Sequence, residues 1–381
     1  MDFRLTEPQI ALQKRIRSFA KEKIAPLADE ADASFDTSWE VINNLKIEGL
    51  FRYVVPEEYG GHGFSSMNLC IIRNELSRVS IFADEAFVQQ GLASYPVSRF
   101  GNPEQKEKYL PPLATGDKLI SFCLTEPGAG SDVAGIRSTA IRDGDRYILN
   151  GRKCYVSKPD DADLFLVFSK TDPAKHGKGI SAFVMERGIS RFDTERERLV
   201  FACPIGDLIL DDTRVPTTNR IGEEGRGMSI ALSNLNIFRP TVGAAALGMA
   251  EAAFELAMEH AQRRAMFGKQ LIDFQVTQFK LAEMRTEMEA AKLLLYQAAW
   301  MADQGEGRNI MEASMAKYYA TEMAHRVVDQ SVQIHGGIGI NQKNRLELLY
   351  RAARAPRIYE GTTEIQKIVI SRALLRERGS A

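Results

Sequence analysis

The sequence predicts an α+β protein in which helices come first, strands follow and helices return. Residues 1–118 carry apolar side chains at helical spacing, residues 119–222 hold short apolar runs separated by turn residues, and residues 223–381 are again helical in pattern. We therefore expect a helical N-terminal domain (1–118), a middle antiparallel β domain (119–222) and a helical C-terminal domain (223–381).

The N-terminal helices are predicted from capping residues and from spacing. Thr6 and Gln9 have the spacing of a capping box, and Pro8 suits the first turn of a helix. The glycine-rich stretch VVPEEYGGHGFSS (54–66) should be a loop, after which helical patterns resume.

The middle segment carries two hairpin signals. Asp143-Gly144 and Asn150-Gly151 lie between alternating residues, and such dipeptides favour tight turns between antiparallel strands. Short apolar runs of strand length follow at 163–171, 179–186 and 207–216. Both dipeptides are therefore predicted to be turns of an antiparallel sheet.

The C-terminal segment returns to long helices. One is predicted over residues 281–303, with an apolar face formed by Met284, Met288, Ala291, Leu295 and Ala298. Another is predicted to end at Gly336 and Gly337, which should form its C-cap.

Composition and charge argue against several classes of protein. The 381 residues are 44% hydrophobic and 26% charged, as in ordinary globular proteins. With 49 basic and 50 acidic residues the net charge is −1, so no nucleic-acid partner is expected. No apolar run reaches about 18 residues, so no membrane span is expected. The 4 cysteines are scattered, which argues against disulfides or a metal site and suits a reducing, cytoplasmic location.

Two segments next to predicted strands have side chains that suit a planar or anionic ligand. In LTEPGAGSD, two glycines would let backbone N–H groups approach an anion or a flat ring, and Thr125 and Ser131 add hydroxyls. A tight β-connection explains that stretch equally well. In CYVSKPDD, Tyr155 could cover a ring and Ser157 could donate a hydrogen bond, although an aromatic residue covering the core is the simpler explanation.

Two further segments accompany the long helices. Arg264, Phe267 and Gln275 precede one of them, and an arginine there could hold a phosphate as a bidentate fork. A solvated basic turn is the alternative that the segment alone favours. In QIHGGIG a helix cap explains the glycines but not Gln333, and His335 is expected to be structural because no partner for it is apparent.

Glu360, in RIYEGTTEIQ (357–366), is the candidate general base. Ile358 and Tyr359 flank it, and their apolar surface could desolvate the carboxyl group and raise its pKa toward neutrality, where a base works best. A helix N-cap or first-turn glutamate, favoured by the helix dipole, explains the residue equally well if it is taken alone.

Taken together, TEPGAGSD, RRAMFGKQL, QIHGGIG and IYEGTTEIQ resemble the acyl-CoA dehydrogenase family in order and spacing, over essentially the whole chain. The resemblance implies an N-terminal helical domain, a middle β domain and a C-terminal four-helix bundle. It also implies FAD as cofactor, a homotetramer, a role in fatty acid metabolism, and oxidation of an acyl thioester to a trans-2-enoyl thioester.

By this resemblance Glu360 is the catalytic base that removes the α-proton, while the β-hydrogen leaves as hydride to flavin N5. The Glu360 backbone N–H and a ribityl hydroxyl would hold the thioester oxygen, and such a donor is worth about 3 kcal/mol. Arg239 matches a buried arginine that supports the catalytic loop. In a minority of the family the base precedes that arginine, but here that position is Phe238, which cannot serve.

The resemblance also assigns binding residues. The FAD contacts it implies are Leu124, Thr125, Gly130, Ser131, Tyr155, Ser157, Arg264, Phe267, Gln275, Gln333, Gly336, Gly337, Thr362 and Gln366, with Arg264, Phe267 and Gln275 reaching a neighbouring subunit's FAD. The substrate contacts it implies are Ser131, Gln89, Phe238, Tyr359 and Gly361.

The sequence departs from the family pattern near the expected substrate site. Lys158-Pro159 replaces a flexible Asn-Gly turn, Phe201 and Cys203 replace an Arg and a Ser, and Ala352 replaces an acid. Gln89 and Gln90, in the segment expected to line the acyl chain, hint at a polar or unusual acyl group.

Carrier and acceptor are open at this stage. Lys175 and Lys178 could contact the phosphates of CoA or an acidic acyl carrier protein, and a solvated loop with neither role is the alternative. The expected electron acceptor is an electron-transfer flavoprotein; an oxidase or monooxygenase on the same fold is a variant. A non-catalytic protein that keeps the fold is a second class, against which Glu360 and the intact flavin segments argue.

Overall fold

The computed structural model describes residues 4–305, 309–377 and 379. The helices are α1 (Glu7–Phe19), α2 (Ala25–Ala33), α3 (Trp39–Ile47), α4 (Ser66–Ser77), α5 (Ile81–Phe100), α6 (Pro103–Thr115), α7 (Gly227–Arg263), α8 (Gln275–Asp303), α9 (Ile310–His335), α10 (Arg345–Ala352) and α11 (Thr363–Glu377). The strands are β1 (Ile120–Cys123), β2 (Thr139–Asp143), β3 (Arg146–Ser157), β4 (Leu164–Lys170), β5 (Ile180–Glu186), β6 (Asp193–Glu197), β7 (Ile205–Pro216), β8 (Arg220–Ile221), β9 (Ala265–Met266) and β10 (Lys269–Gln270).

The order of elements confirms the predicted α+β class, with helices, then a β segment, then helices. The chain forms two compact units. We call Met1–Ala33, Ser65–Asp84 and Asn236–Ala381 the helical unit, and Ser34–Phe64 and Glu85–Leu235 the sheet unit. The predicted boundaries near residues 118 and 222 stay a prediction.

Long helices form the core of the helical unit. The apolar face predicted for α8 is buried, and α9 packs against α8, α10 and α11. Gly243 of α7 lies so close to Leu295 of α8 and Ala320 of α9 that a β-carbon at this glycine would be 2.5 Å from the first and 3.1 Å from the second. Small residues therefore let three helices approach closely. Gly336, with φ of 62°, ends α9 as predicted, and Gly337 lies in the 3₁₀ turn that follows.

The sheet of the sheet unit has the strand order β6-β7-β3-β2-β4-β5-β8, with β1 beside β4. Most pairs are antiparallel, but β1 runs parallel to β4 with Ile120 opposite Leu164, and β2 meets β4 in parallel at Thr139 and Lys170. The predicted antiparallel pairing therefore holds for most strand pairs, and β1–β4 and the end of β2 are the exceptions. The β2–β3 hairpin and its crossover separate β1 from β4, and parallel neighbours need such a connection.

The Asp143-Gly144 turn is confirmed, since β2 ends at Asp143 and pairs antiparallel with β3 from Arg146 onward. The Asn150-Gly151 turn is wrong, because β3 continues through it. Gly151 has φ of 144° and lies at a register shift between β3 and β7. A β-carbon there would be 2.5 Å from Cβ of Ser138, so the glycine serves a bulge and a close backbone approach.

Helix α7 has the length and composition of a membrane-spanning helix, alone among the helices of the described residues. Of its most apolar window, 67% is buried inside the protein, as in a core helix.

Candidate active site

The loop between α10 and α11 (353–362), which we call the base loop because it carries the candidate base, places Glu360 in an unusual backbone conformation. Glu360 has φ of 53° and Gly361 has φ of 93°. The side-chain amide of Gln366 donates to the carbonyl of Gly361 at 2.8 Å and to that of Glu360 at 3.3 Å. A β-carbon at Gly361 would lie 2.6 Å from this amide nitrogen. A non-glycine residue in the left-handed region costs about 1–2 kcal/mol, and such strain concentrates at functional sites.

One oxygen of the Glu360 carboxylate is enclosed and lacks a hydrogen-bond partner among the described residues. Although the residue as a whole is half-buried, its Oε2 is enclosed and accepts no hydrogen bond from any residue that the structure describes. Burial raises the pKa of Glu360, and the charges of Arg73, Lys317 and Arg239 offset part of this rise. A carboxylate held in this way is suited to accept a proton.

Three cations of the helical unit provide the field at Glu360. Arg73 is buried and makes a bidentate pair with Asp84 at 2.8 Å. Arg239 is also buried, donates through Nη1 to Asn236 at 2.6 Å, and has an enclosed Nε without a partner among the described residues. Lys317 donates to the carbonyl of Gly361 at 2.7 Å. Burial lowers the pKa of Lys317 to about 7, against the opposing charge of Glu360.

The sequence analysis named Glu360 and Arg239 as candidates, but it did not single out Arg73, Asp84 and Lys317, whose charges act at Glu360. The available signal was weak: Arg73 interrupts the apolar run LCII, and Lys317 stands in the run ASMAK of small and apolar residues. A charged residue at such a position is expected to be paired if it is buried.

In the sheet unit, hydrogen bonds to Thr125 and Glu126 hold the predicted ligand loop LTEPGAGSD (124–132) in place. The Glu126 carboxylate accepts hydrogen bonds from Lys153 Nζ at 2.6 Å and from the backbone N–H groups of Arg137 at 2.5 Å and Ser138 at 3.1 Å. The Thr125 carbonyl accepts from the Cys154 N–H at 2.8 Å. Gly128 and Gly130 face open space, so the loop presents backbone rather than side chains.

Tyr155 and Ser157 lie at the end of β3, where a register shift between Lys153 and Val156 bends the strand. Tyr155 has φ of 55° and is 58% exposed, so it does not cover the core as its alternative explanation required. Ser157 is buried, and its carbonyl accepts a hydrogen bond from Ser121 Oγ at 2.5 Å. The strand end thus presents one aromatic ring outward.

Lys158, the next residue, is buried and held by side-chain and backbone contacts. Its φ is 51°, its ammonium pairs with Glu85, and its N–H donates to the Pro204 carbonyl at 2.6 Å. Gln90 is buried, and its amide donates to the carbonyls of Leu113 at 2.9 Å and Lys118 at 2.8 Å. Gln89 differs, since its Oε1 is enclosed without a partner among the described residues.

A groove of about 590 Å³ lies in the helical unit at the end of α9. It brings together Arg264, Gln333, Gly336 and Gly337 of the predicted contacts. It adds three basic groups that the sequence did not single out as ligands: His260, Lys280 and His335.

The two histidines of this groove stack with ring centroids 4.2 Å apart, and His335 Nδ1 donates to the Ser331 carbonyl at 2.9 Å. Burial, His335 and Arg264 lower the pKa of His260. Phe267 and Gln275 do not line the groove: Phe267 lies 85% exposed between β9 and β10, and Gln275 begins α8.

Two of the remaining predicted residues, Tyr359 and Thr362, lie in the base loop. Thr362 and Ile358 line a second groove of about 230 Å³, together with Arg354, Arg357 and Thr363. Tyr359 is exposed, whereas Phe238 is fully buried. No cluster of three His, Cys, Asp or Glu side chains able to hold a metal ion occurs among the residues with described positions.

Comparison with known proteins identifies the family. The sequence matches the acyl-CoA dehydrogenase N-terminal domain over residues 6–117, the middle domain over 121–213 and the C-terminal domain over 225–375. The chain therefore belongs to the acyl-CoA dehydrogenase family. This family consists of flavin-dependent oxidoreductases that act on a CH–CH bond, and the chain is an enzyme of that class.

Two curated relatives are named as reductases. The 3-(aryl)acrylate reductase of Clostridium sporogenes is 40% identical, over 97% of this chain and 99% of that protein. The caffeyl-CoA reductase-Etf complex subunit CarC of Acetobacterium woodii is 38% identical, over 98% of this chain and 99% of that protein.

Two solved structures share the fold. Butyryl-CoA dehydrogenase from Megasphaera elsdenii superposes with a TM-score of 0.94 at 36% identity, covering 99% of this chain and 100% of that one. An acyl-CoA dehydrogenase from Bacillus anthracis complexed with FAD gives a TM-score of 0.89 at 32% identity, covering 98% of this chain and 68% of that one.

Proposed function

We propose that the protein is an FAD-dependent enzyme that interconverts an acyl-CoA thioester and its trans-2-enoyl thioester, with Glu360 as the base at the α-carbon. One observation carries the assignment of the base: Glu360 has an enclosed carboxylate oxygen without a partner, on a left-handed backbone, within the field of three cations. A surface glutamate at a helix start would be hydrated and relaxed.

The residues around Glu360 act on its carboxylate in different ways. Burial strengthens the carboxylate as a base, while Arg73 and Arg239 keep it from being protonated permanently. Asp84 neutralises Arg73, so the field stays moderate. A positioned base contributes about 10²–10⁴-fold to the rate. Bound FAD would supply the hydride acceptor for the β-carbon.

The residues present fit FAD. The groove with Arg264, Lys280 and Gln333 offers cationic and amide donors, which suit a phosphate-bearing ligand. In the sheet unit, the exposed ring of Tyr155 and the open glycines 128 and 130 suit a flat ring approached by backbone. Leu124, Thr125, Ser131 and Ser157 belong to the same segments.

We further propose a homotetramer that passes electrons to an electron-transfer flavoprotein. Exposed apolar residues support the assembly, since Phe267 is 85%, Val276 63% and Ile340 71% exposed on the helical unit. The name of the relative from Acetobacterium woodii, which includes an Etf complex, supports the acceptor. Arg264 and Phe267 would then contact the FAD of a neighbouring subunit.

The reductive direction is the second candidate. The two relatives described above are named as reductases, one for an arylacrylate and one for caffeyl-CoA. Glu360 can serve both directions of the reaction. Its ionised carboxylate would remove the α-proton during oxidation, and its protonated carboxyl group would return that proton during reduction. The direction in the cell would then follow from the potential of the thioester pair and of the electron partner.

An anaerobic titration tests the proposal. The purified yellow protein is mixed with acyl-CoAs and acyl-carrier-protein thioesters of short, branched, aromatic and polar acyl groups, and flavin absorbance is followed. We expect one class of acyl-CoA to bleach the flavin, and its enoyl-CoA to restore the colour of the reduced protein. If no thioester changes the oxidation state in either direction, the proposed reaction is wrong.

A second titration distinguishes electron transfer to an electron-transfer flavoprotein from direct reaction of the reduced flavin with oxygen. Reduced protein is exposed to air and, separately, to oxidised electron-transfer flavoprotein. Fast reoxidation by the flavoprotein and slow reaction with oxygen are expected. The reverse order would indicate an oxidase or monooxygenase.

A further inference from the structure

The carbonyl of Gly361, next to the proposed base, is held by two side chains from different helices. Gln366 of α11 donates to it at 2.8 Å, and Lys317 of α9 donates to it at 2.7 Å. The Lys317 side chain is fully buried. Burying an ammonium is costly unless it is paired, so its position requires a reason.

The charges that face Lys317 come from several elements. Glu360 lies in the loop, Glu364 on α11, Glu322 on α9 itself and Arg239 on α7. Glu322 is already engaged, since it pairs with Arg357 at 2.8 Å and accepts from Thr363 at 2.6 Å. Glu364 is exposed to solvent. Among the acids that face Lys317, Glu360 has an enclosed oxygen, Oε2, that accepts no hydrogen bond from the residues that the structure describes.

We propose that Lys317 is a positioning residue for the base: its hydrogen bond to Gly361 fixes the left-handed loop, and its charge keeps the Glu360 carboxylate ionised. The role of Lys317 in catalysis rests on the proposed function. Its effect on the base loop and on the ionisation of the carboxylate can be measured without turnover. Lys317 touches neither reacting carbon; it acts through the peptide beside Glu360 and through the field at the carboxylate.

The position and the charge can be separated by substitution. Lys317→Gln keeps a donor that reaches toward the carbonyl but removes the charge, and Lys317→Arg keeps the charge and a donor. Lys367→Gln is the matched control, because Lys367 is an exposed lysine of α11 that lies over the ring of Tyr318 at 5.0 Å. It changes the net charge of the unit equally at a side chain that faces solvent.

The first readout is the protonation of Glu360 in the FAD-loaded protein without substrate. Infrared difference spectra against Glu360→Gln, recorded over pH, isolate the band of the protonated carboxyl group. Loss of a nearby cation raises a carboxyl pKa, so this band should persist to a pH about one unit higher in Lys317→Gln. Below about pH 7, where Lys317 carries its charge, Lys317→Arg and Lys367→Gln should titrate like the parent protein.

The second readout is the rate of flavin reduction by the thioester that bleaches the parent protein. Below both pKa values the ionised fraction of Glu360 in Lys317→Gln should be about 10-fold lower, and the rate should fall equally. Thioester affinity should change less than about 3-fold, because the Lys317 side chain is fully buried and donates to the Gly361 carbonyl. Arginine should restore most of the rate.

A superposition of the Lys317→Gln and parent infrared titrations would overturn the inference, since a merely structural lysine would not move the Glu360 pKa. Failure of Lys317→Arg to restore the parent titration, in a protein with an unchanged melting curve, would also overturn it. If no thioester bleaches the parent protein, the proposed function fails, yet the infrared titration still decides the role of Lys317.

Discussion

Glu126 of the sheet unit and Glu360 of the helical unit are both removed from water, but their hydrogen bonds differ. Glu126 is 6% exposed and accepts from the ammonium of Lys153 and from two backbone N–H groups. Burial alone would raise the pKa of Glu126, but Lys153 and these amides outweigh it, and the pKa lies below its usual value.

Glu360 has the opposite balance. Its Oε2 has no partner among the described residues, its cations act through the field, and burial holds its pKa above the usual value. Identical carboxyl groups therefore serve different purposes: a fully bonded one fixes a loop, and an incompletely bonded one retains the capacity to take up a proton. The contrast predicts that replacement by glutamine lowers activity at Glu360 and stability at Glu126.

The largest effect is expected for Glu360→Gln. An amide cannot accept the α-proton, so flavin reduction by the best thioester should slow by about 10²–10⁴-fold, with FAD retained. Stopped-flow absorbance of the anaerobic mixture measures it.

Glu289→Gln, which changes an exposed glutamate of α8, is the control and should leave the rate unchanged. A Glu360→Gln protein reduced at the parent rate would remove Glu360 as the base.

Glu126→Gln should instead act on stability. It leaves the ammonium of Lys153, which is fully buried, without its counter-charge. Breaking a buried pair on one side costs about 3–5 kcal/mol of unfolding free energy. Chemical denaturation at neutral pH measures it.

The double variant Glu126→Gln/Lys153→Met removes both charges and should recover a large part of the loss. Equal losses in the single and double variants would show that the stability comes from the backbone hydrogen bonds of Glu126 rather than from the ion pair.

The sequence predicted the locally encoded parts of this comparison. The apolar face of α8 repeats every three or four residues, and the Asp143-Gly144 hairpin is fixed by its own turn, so both needed only neighbouring residues. Glu360 became the candidate base because apolar residues flank it and because its motif resembles that of a known family.

The parts that depend on distant residues could not be predicted. Gly151 carries a hairpin signal, but its contact with Ser138 makes it a bulge. Lys317 lies on a helix, and only the fold brings its ammonium to the carbonyl of Gly361. A lysine on a helix usually faces water, so the sequence pattern alone predicts an exposed Lys317.

Glycines of the two loops extend the comparison at a smaller scale. Gly361→Ala places a β-carbon 2.6 Å from the Gln366 amide at a φ of 93°, whereas a β-carbon at Gly128 meets nothing within 4 Å. Gly361→Ala should destabilise by about 1–3 kcal/mol and slow flavin reduction, because the base loop must shift. Gly128→Ala should stay within about 0.5 kcal/mol of the parent protein. Equal melting curves for the two variants would show that the base loop is not strained.

The smallest effect is a gain in stability for Glu360→Gln, and its pH dependence has a defined sign. Because the folded pKa of Glu360 is raised, the folded state binds more protons than the unfolded state between the two pKa values. The parent protein therefore loses stability from this group as pH rises from about 4.3 through the folded pKa, and glutamine does not. Above that window Glu360→Gln should be more stable on the order of 1 kcal/mol, as expected when an active site is held at the expense of stability. Unfolding free energies of both proteins from pH 4 to 8 test it. A gap that closes with rising pH would mean that Glu360, like Glu126, is stabilised by its ionisation, and the distinction between the two carboxylates would fail.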